Sequence, residues 1–159
     1  MWEDLELISR KLPAKDAPGI TFRPSVMFVT VCTKNRGRFL ARDEVHRALR
    51  AAWSDGSHWV VGRYVIMPDH LHLFACERND RSCSVDQWSR WWKRRVCLLL
   101  ECAENSFWQK GIWDTRIYSG DLYRGKIYYV VNNPVRAGLV TNSDAWAYQG
   151  EINRLPWVD

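Results

Sequence analysis

The sequence lacks the features that mark several common structural classes. Its 5 cysteines form no C-x-x-C pair, which argues against a disulfide framework or a zinc ribbon and for a reducing compartment. The longest apolar stretches, such as residues 96–100, fall far short of the roughly 20 residues that a membrane span requires. The amino terminus has no apolar region typical of a signal peptide, and no internal repeat is visible. We therefore expect a cytoplasmic protein without a membrane partner.

The composition instead indicates one globular domain that favours a polyanionic partner. A length of 159 residues fits a single core, and 47% hydrophobic residues are enough to fill it. The 23 basic residues exceed the 18 acidic ones, which gives a net charge of +5. We expect an irregular arm over residues 1–24, a folded domain over 25–140 and a tail over 141–159. The tail could cover the fold or lie near the functional site, and packing is the simpler interpretation.

Hydrophobic periodicity predicts a mixture of helices and strands. Strands are predicted over residues 25–33, 58–67 and 70–76, with a short strand or ordered loop within 107–119. Helices are predicted over about 43–53, 84–104 and 121–133. Asp43 could cap the first helix. Ser84 and Gln87 have the form of a capping box for the second, and Pro134 should end the third. This order predicts an α+β fold with helices packed on a largely antiparallel sheet.

His70 and His72 form a pair that could bind a metal ion. Side chains alternate between the faces of a strand, so the two imidazoles lie on one side and Leu71 lies on the other. Neutral imidazole is a common ligand of divalent metals, and two such ligands leave positions for a third group, water and a phosphate oxygen. Because the spacing also arises often by chance, ordinary strand histidines are the simpler interpretation of this pair alone.

Tyr129 and Asn133 lie four residues apart on the last predicted helix and share a face, which Lys126 continues. A phenolate can attack phosphorus and form a covalent phosphotyrosine. Because tyrosine has a pKa of about 10, this chemistry needs a metal on the scissile phosphate and a proton acceptor or a cation near the phenol. Taken alone, Tyr129 is more simply a core or surface residue, and Tyr123 or Tyr128 could equally be the exposed one.

Basic residues cluster in two places that could contact a nucleic-acid backbone. Four cations fall within six residues of the second predicted helix, and a basic turn follows the first strand. Such runs are more often simply solvated. Among the neighbouring Trp88, Trp91 and Trp92, one could stack on an unpaired base, although packing is the default for each. The candidate DNA-binding residues are Lys34, Arg36, Arg38, Arg90, Lys93, Arg94, Arg95 and Lys126.

Two motifs stand in a fixed order along the chain. The first is residues 64–74 (YVIMPDHLHLF), and the second is residues 129–140 (YVVNNPVRAGLV). Together they resemble the single-tyrosine HUH transposases, of which the REP-associated tyrosine transposases are the closest branch. The resemblance also includes residues 28–36 (FVTVCTKNR) and 107–114 (FWQKGIWD), and covers most of residues 26–140. Two separated motifs are far more specific than either alone.

The resemblance implies a ferredoxin/RRM-like sheet, a catalytic domain over residues 25–140 and a role for each motif residue. His70 and His72 match the paired metal ligands. Tyr129 matches the nucleophile, and Asn133 matches the polar residue that completes the metal site. With Mg²⁺ or Mn²⁺, such an enzyme cuts single-stranded, hairpin-bearing DNA, leaves tyrosine on the 5′ phosphate and a free 3′ hydroxyl, and rejoins the strand by reversal. The resemblance also favours a monomer over a homodimer, and we expect association with the nucleoid.

The sequence departs from the usual pattern of these transposases at one position beside the histidines. Asp69 stands where asparagine commonly precedes the first histidine. The acid could tune the metal through the neighbouring ligand, or it could simply be a turn residue, which is the simpler interpretation.

Two other functions stay open at this point. The chain could be a hairpin-binding protein for DNA or RNA that keeps the fold without nuclease activity, although the intact set of motif residues argues against this. It could also be a generic metal hydrolase, which would release product without a covalent protein-DNA adduct. A denaturing gel of protein mixed with labelled hairpin DNA separates these hypotheses.

Overall fold

One antiparallel sheet with helices on both faces forms the framework. The computed structural model describes residues 26–55, 58–78 and 83–155, so the arm predicted over residues 1–24 lies outside the described part. The strands are β1 (Val26–Cys32), β2 (Trp59–Ile66), β3 (His70–Glu77), β4 (Trp113–Ile117) and β5 (Gln149–Glu151). The helices are α1 (Asp43–Ser54), α2 (Val85–Leu100), α3 (Glu104–Phe107), α4 (Gly120–Val131) and α5 (Asn133–Arg136).

The strand order confirms the predicted fold class. The sheet has the order β4-β1-β3-β2-β5, and every neighbouring pair is antiparallel. One long helix follows β1 and another follows β3, so the first four strands have the split β-α-β arrangement of ferredoxin-like folds. The prediction of an α+β, ferredoxin/RRM-like sheet is therefore confirmed. Within the described residues, no helix is both long and apolar enough to cross a membrane.

The predicted tail contributes an edge strand that local pattern did not reveal. Strand β5 pairs with Arg63, Tyr64 and Val65 of β2, so the sheet extends past residue 140. Its sequence, Gln-Gly-Glu, has no β-branched or aromatic residue, and only pairing with a distant strand makes it extended. Just before β5, the indole nitrogen of Trp146 donates to the carbonyl oxygen of Ile66 at 2.9 Å and fixes the segment to β2.

The helix ends follow the sequence signals in part. Ser84 and Gln87 form the predicted capping box, with both reciprocal hydrogen bonds present. The prediction that Asp43 caps the first helix is wrong, because the helix begins at Asp43 itself and Arg42 stands at the cap without a side-chain bond. The Asp43 carboxylate instead accepts a hydrogen bond from the hydroxyl of Tyr148 at 3.1 Å.

Pro134 does not simply end the last helix. Helix α4 stops at Val131, and the short α5 begins at Asn133 with Pro134 in its first turn. The missing amide hydrogen of proline costs little there, because the first helical amides have no partner within the helix. Consequently the chain turns between Tyr129 on α4 and Asn133 on α5.

The alternation of side chains gives the sheet two different faces. On the first, which we call the tryptophan face, α1 and α2 pack over apolar residues of β1 and β3 such as Val31 and Leu73. On the second, the histidine face, α4 packs over Phe28 and Phe74. The tryptophan face buries Trp53, Trp59, Trp88, Trp92 and Trp108. The histidine face holds the predicted metal ligands, so the main core and the candidate site lie on opposite sides.

Candidate active site

His70 and His72 lie side by side at the start of β3, and both are buried. Their ring centroids are 4.9 Å apart, with the rings nearly perpendicular. Each ring is held through its Nδ1 atom. His70 Nδ1 is 2.7 Å from Oδ1 of Asp69, and His72 Nδ1 is 2.8 Å from Oγ1 of Thr30 on the neighbouring strand β1. The two imidazoles are therefore fixed in orientation by groups on either side of β3.

Because Nδ1 of each ring is engaged, Nε2 is the ring nitrogen that faces the space between the histidines and Asn133 in His70 and that, within the described part of the chain, has no partner in His72. A carboxylate can only accept, so His70 donates from Nδ1 and carries its lone pair on Nε2. His72 Nε2 is buried and has no hydrogen-bond partner among the described residues. In metal-binding histidines, one ring nitrogen binds the metal and the other forms a hydrogen bond to a protein group. The chemistry of this donor pair thus fits a divalent cation.

Burial keeps both histidines in the form that can bind a metal. Desolvation lowers the pKa of His70, although the hydrogen bond from its ring to Asp69 opposes that effect. Desolvation, together with the charges of His70 and Lys126, holds the pKa of His72 well below its ordinary value. A neutral imidazole has the free lone pair that coordination requires.

Asp69 contacts the histidine rather than serving only as a turn residue. Besides its bond to His70, its Oδ2 atom accepts from Nε of Arg36 at 3.0 Å. Burial raises the pKa of Asp69, but the His70 and Arg36 interactions outweigh burial and hold the pKa below its ordinary value. The contact with His70 that the first interpretation of Asp69 requires is present, and an effect of Asp69 on a metal stays a prediction. The Arg36 guanidinium, predicted to bind DNA, has this structural partner.

Asn133 reaches the histidine pair within the same chain. Its Nδ2 atom is 3.3 Å from Nε2 of His70. Because the side-chain amide carries its oxygen and its nitrogen on one carbon, rotation of the amide group by 180° would bring Oδ1 to the position of Nδ2. Among the described residues, no group of three or more His, Cys, Asp or Glu side chains could hold a metal ion. A site here would therefore use the two imidazoles, the Asn133 amide and oxygens from substrate or water.

Three tyrosines of α4 have three different environments. Tyr123 is buried and Tyr128 is 74% exposed, whereas Tyr129 is half-buried. The guanidinium carbon of Arg136 lies 3.8 Å from the centroid of the Tyr129 ring, and Arg136 also donates to the backbone carbonyl of Tyr129. Tyr129 is thus the tyrosine of α4 with a cation stacked on its ring, one turn before Asn133.

Lys126 is a buried cation next to the histidines. Its ammonium lies 4.9 Å from the centroid of the Phe28 ring, and that ring stacks on His72 with centroids 5.3 Å apart. Burial lowers the pKa of Lys126. The predicted stripe of Lys126, Tyr129 and Asn133 therefore borders the site. The prediction that Lys126 contacts DNA from an open surface is wrong, because its side chain is only 9% exposed.

The basic turn lies at the site end of the sheet. Residues 34–36 form one 3₁₀ turn directly after β1, and the amide of Thr33 donates to the carbonyl of Asp69 at 3.1 Å. Lys34 and Arg38 are exposed there. Their positions beside the loop that carries Asp69 agree with the prediction that they contact a phosphate backbone.

The basic run on α2 lies on the opposite side of the sheet from the histidines. The prediction that Lys93 contacts DNA is wrong, because its side chain is only 4% exposed. Its ammonium donates to the carbonyl oxygens of Gln109 at 2.9 Å and Gly111 at 3.1 Å. Arg90 pairs with Asp86, Arg95 pairs with Asp55 at 3.3 Å, and Arg94 is exposed. The three arginines face solvent beyond the tryptophan face, and their contact with DNA stays a prediction.

The neighbouring tryptophans separate in the same way. Trp88 and Trp92 are core residues of the tryptophan face, whereas Trp91 is 43% exposed.

Sequence reasoning missed two residues of the site, Thr30 and Arg136. No local signal pointed to Arg136, because it lies on α5 and reaches the Tyr129 ring of α4 only across the break between the two helices. The same holds for Thr30, which reaches His72 only through strand pairing.

Comparisons with known proteins agree with the motif resemblance. No family model matches the sequence. A REP-associated tyrosine transposase of Escherichia coli (strain K12) is 26% identical over 89 residues, which are 55% of this chain and 52% of that protein. The chain thus spans about half the length of the curated relative that it matches. A solved structure of a REP-associated tyrosine transposase bound to a REP hairpin shares the fold, with a TM-score of 0.67, 19% identity and coverage of 86% of this chain and 82% of that one. The chain is therefore similar in sequence to a REP-associated tyrosine transposase over about half of its length, and it shares the fold of another.

Proposed function

We propose that the protein is a tyrosine transposase that cleaves and rejoins single-stranded, hairpin-bearing DNA with the help of a divalent cation. The observation that carries this proposal is the contact between Asn133 and Nε2 of His70 within one chain. It brings the carboxyl end of α4, where Tyr129 lies, to the histidine pair. The relation to transposases adds support, since the fold neighbour is described as bound to a REP hairpin.

His70, His72 and Asn133 are the residues that would hold the cation. The fit rests on the buried, unpartnered Nε2 of His72 and on the Nδ1 contacts that orient both rings. When bound, Mg²⁺ or Mn²⁺ would polarise the phosphoryl oxygens and offset the negative charge that develops on them. Asp69 would keep His70 in the tautomer that leaves the lone pair on Nε2, and the Thr30 hydroxyl, which can donate or accept, would hold the orientation of the His72 ring.

Tyr129 is the nucleophile in this proposal. Its phenolic oxygen forms a bond to phosphorus, and the bond from phosphorus to the 3′ oxygen breaks. The phenol loses its proton to water, and the departing 3′ oxygen gains one. In the reverse step a 3′ hydroxyl attacks the phosphotyrosine and restores the strand, so no external energy source is required. The stacked guanidinium of Arg136 restricts the Tyr129 ring and places a positive charge beside it.

The exposed basic turn is the first candidate surface for the DNA backbone. Lys34 and Arg38 are free of ion pairs among the described residues and lie next to the segment that leads into β3. Phosphate contacts of this kind position the strand without reading its sequence. We expect single-stranded or hairpin DNA to approach the histidine face from this end.

The test compares two adjacent tyrosines. A labelled hairpin with randomised single-stranded arms is incubated with protein and Mn²⁺ and resolved on a denaturing gel. Wild type and Tyr128→Phe should both form a covalent protein-DNA adduct. Tyr129→Phe should lose the adduct and cut at least about a thousandfold more slowly while still binding the hairpin, because only its hydroxyl attacks phosphorus.

The other outcomes each indicate a different function. An adduct that persists in Tyr129→Phe would overturn the role of that residue. Cut DNA without any adduct in wild type would indicate a generic metal hydrolase. Hairpin binding without cut product, with or without Mn²⁺, would indicate a catalytically silent binding protein. His70→Ala combined with His72→Ala serves as the control for metal dependence and should abolish cutting.

A further inference from the structure

Trp113 is a large apolar side chain that the fold leaves in solvent. It is 57% exposed, whereas the five tryptophans of the tryptophan face are buried. It lies at the start of β4, an edge strand of the sheet. More than half of the indole surface stays in water, so burial in the described fold uses only part of this large side chain.

The strand register places Trp113 in the same cross-strand row as a proposed metal ligand. Trp113 pairs with Thr30 of β1, and Thr30 pairs with His72 of β3. Paired residues of antiparallel strands point to the same side of the sheet, so all three side chains belong to the histidine face. The Thr30 hydroxyl, which binds Nδ1 of His72, stands between the indole and the imidazole.

The spacing matches one short stretch of a nucleic-acid strand. Neighbouring strands are about 4.8 Å apart, so two strand spacings separate Trp113 from His72 by about 10 Å. Stacked DNA rises about 3.4 Å per nucleotide along each strand, and an unstacked strand spans more. A phosphate held at the histidines thus has a base about one to three nucleotides away that can reach the indole.

The loop leading to Trp113 is held in place from inside the protein. The buried ammonium of Lys93 donates to the carbonyl oxygens of Gln109 and Gly111, directly before β4. The amide of Gln109 in turn donates to the carbonyl of Cys32 at 3.0 Å. Lys110, between the two anchored residues, is exposed and positively charged. A rigid aromatic platform beside a cation is the arrangement by which proteins bind single-stranded nucleic acid.

We propose that Trp113 stacks on an unpaired DNA base close to the phosphate that is cleaved, and so sets which nucleotide enters the site. This inference rests on the proposed function, and it adds a base-binding position to it. The occupant is a base of the single-stranded arm beside the hairpin. A second copy of the chain is the competing occupant, because β4 is an edge strand.

The experiment measures binding of a fluorescein-labelled hairpin with single-stranded dT arms and of the same hairpin trimmed to its stem. Trp113→Ala should weaken binding of the armed hairpin by about five- to a hundredfold and leave binding of the stem unchanged. Trp113→Phe should restore most of the affinity, since it keeps an aromatic face. Leu98→Ala, at an exposed apolar side chain of α2 on the other side of the sheet, is the control and should bind both probes like wild type.

An abasic scan of the arm gives a readout that a purely structural role would not change. In wild type, removal of one base should weaken binding at a single position. In Trp113→Ala the same removal should have no further effect, because the two changes delete the same contact. A flat scan on wild type would overturn the proposal even if Trp113→Ala fails to fold, and in that case Trp113→Leu, which keeps an apolar side chain without an aromatic face, replaces Trp113→Ala in the scan.

Failure of this inference is distinguishable from failure of the proposed function. If wild type forms the Tyr129 adduct but the abasic scan is flat and Trp113→Ala binds normally, the stacking position is overturned and the transposase proposal stands. If wild type binds neither probe, the proposed function itself fails. If sedimentation shows a dimer that Trp113→Ala converts to a monomer, a second copy covers the indole and the stacking proposal is overturned.

Discussion

The two faces of the sheet bury residues of different chemical character. On the tryptophan face, Trp53 and Trp92 are almost fully buried and meet edge-to-face with centroids 5.7 Å apart. On the histidine face, α4 supplies apolar cover to one end, while Thr30, His70 and His72 occupy the region at the other. Both faces are well packed. Among the described residues, the unpartnered nitrogens of the tryptophan face are indole N–H groups, which can only donate, whereas the histidine face has an unpartnered imidazole nitrogen.

The difference shows how one small domain separates stability from chemistry. Large apolar surface on the tryptophan face supplies a core that does not depend on the site. The stability of that core allows the other face to bury two imidazoles. Because burial of a charged group is costly, the two imidazoles stay neutral there. The comparison predicts that substitutions on the first face change stability, whereas those on the second change ligand binding.

The largest effect on stability should come from Trp92→Ala on the tryptophan face. Trp92 is fully buried and contacts the rings of Trp53, Trp88 and Trp108, so truncation leaves a cavity that its rigid neighbours cannot fill. We expect the free energy of unfolding to fall by about 3–5 kcal/mol, as measured by urea denaturation. Trp91→Ala, next to it on the exposed side of α2, should cost less than about 1 kcal/mol. Equal losses in the two variants would contradict the division of faces.

Lys93→Met should give a smaller loss of stability and no loss of DNA contact. The change leaves the carbonyls of Gln109 and Gly111 without their donor, which costs about 1–3 kcal/mol. The salt dependence of hairpin binding, measured by fluorescence anisotropy, should keep its slope because the lysine does not reach a phosphate. The exposed Arg94→Met is the control for stability and should change it by less than about 0.5 kcal/mol. A shallower salt slope in Lys93→Met would instead return this residue to the DNA interface.

Asp69→Ala should alter the histidine face with the least effect on the fold. It removes the side-chain oxygen that accepts from Nδ1 of His70, so we expect Mn²⁺ affinity to fall by about ten- to a hundredfold in calorimetric titrations. The free energy of unfolding should change by less than about 1 kcal/mol, because the ion pair with Arg36 is partly exposed. Asp55→Ala, which breaks a surface pair with Arg95 on the far side, should leave Mn²⁺ binding unchanged. Equal Mn²⁺ affinity in Asp69→Ala and wild type would remove Asp69 from the site.

Sequence and structure agree best where a feature depends on residues that are close together in the chain. The capping box of Ser84 and Gln87 spans one helical turn and was predicted from residue types alone. The placement of His70 and His72 on one face follows from strand alternation and is also observed. The burial of Lys93 was not predictable, because a lysine between two arginines has the local appearance of a solvated charge.

Residue order by itself determined the three long helices and three of the strands, and it left the fourth strand open as a strand or a loop. It also determined the histidine pair and the spacing of Tyr129 from Asn133, since each of these features depends on periodicity within a few positions. Only the tertiary structure decided that Asn133 meets His70, that Thr30 holds His72 and that Trp113 shares their row. The physical reason is that these relations arise from pairing and packing between segments far apart in the chain. No local pattern of hydrophobicity or charge encodes which distant strand a residue will face.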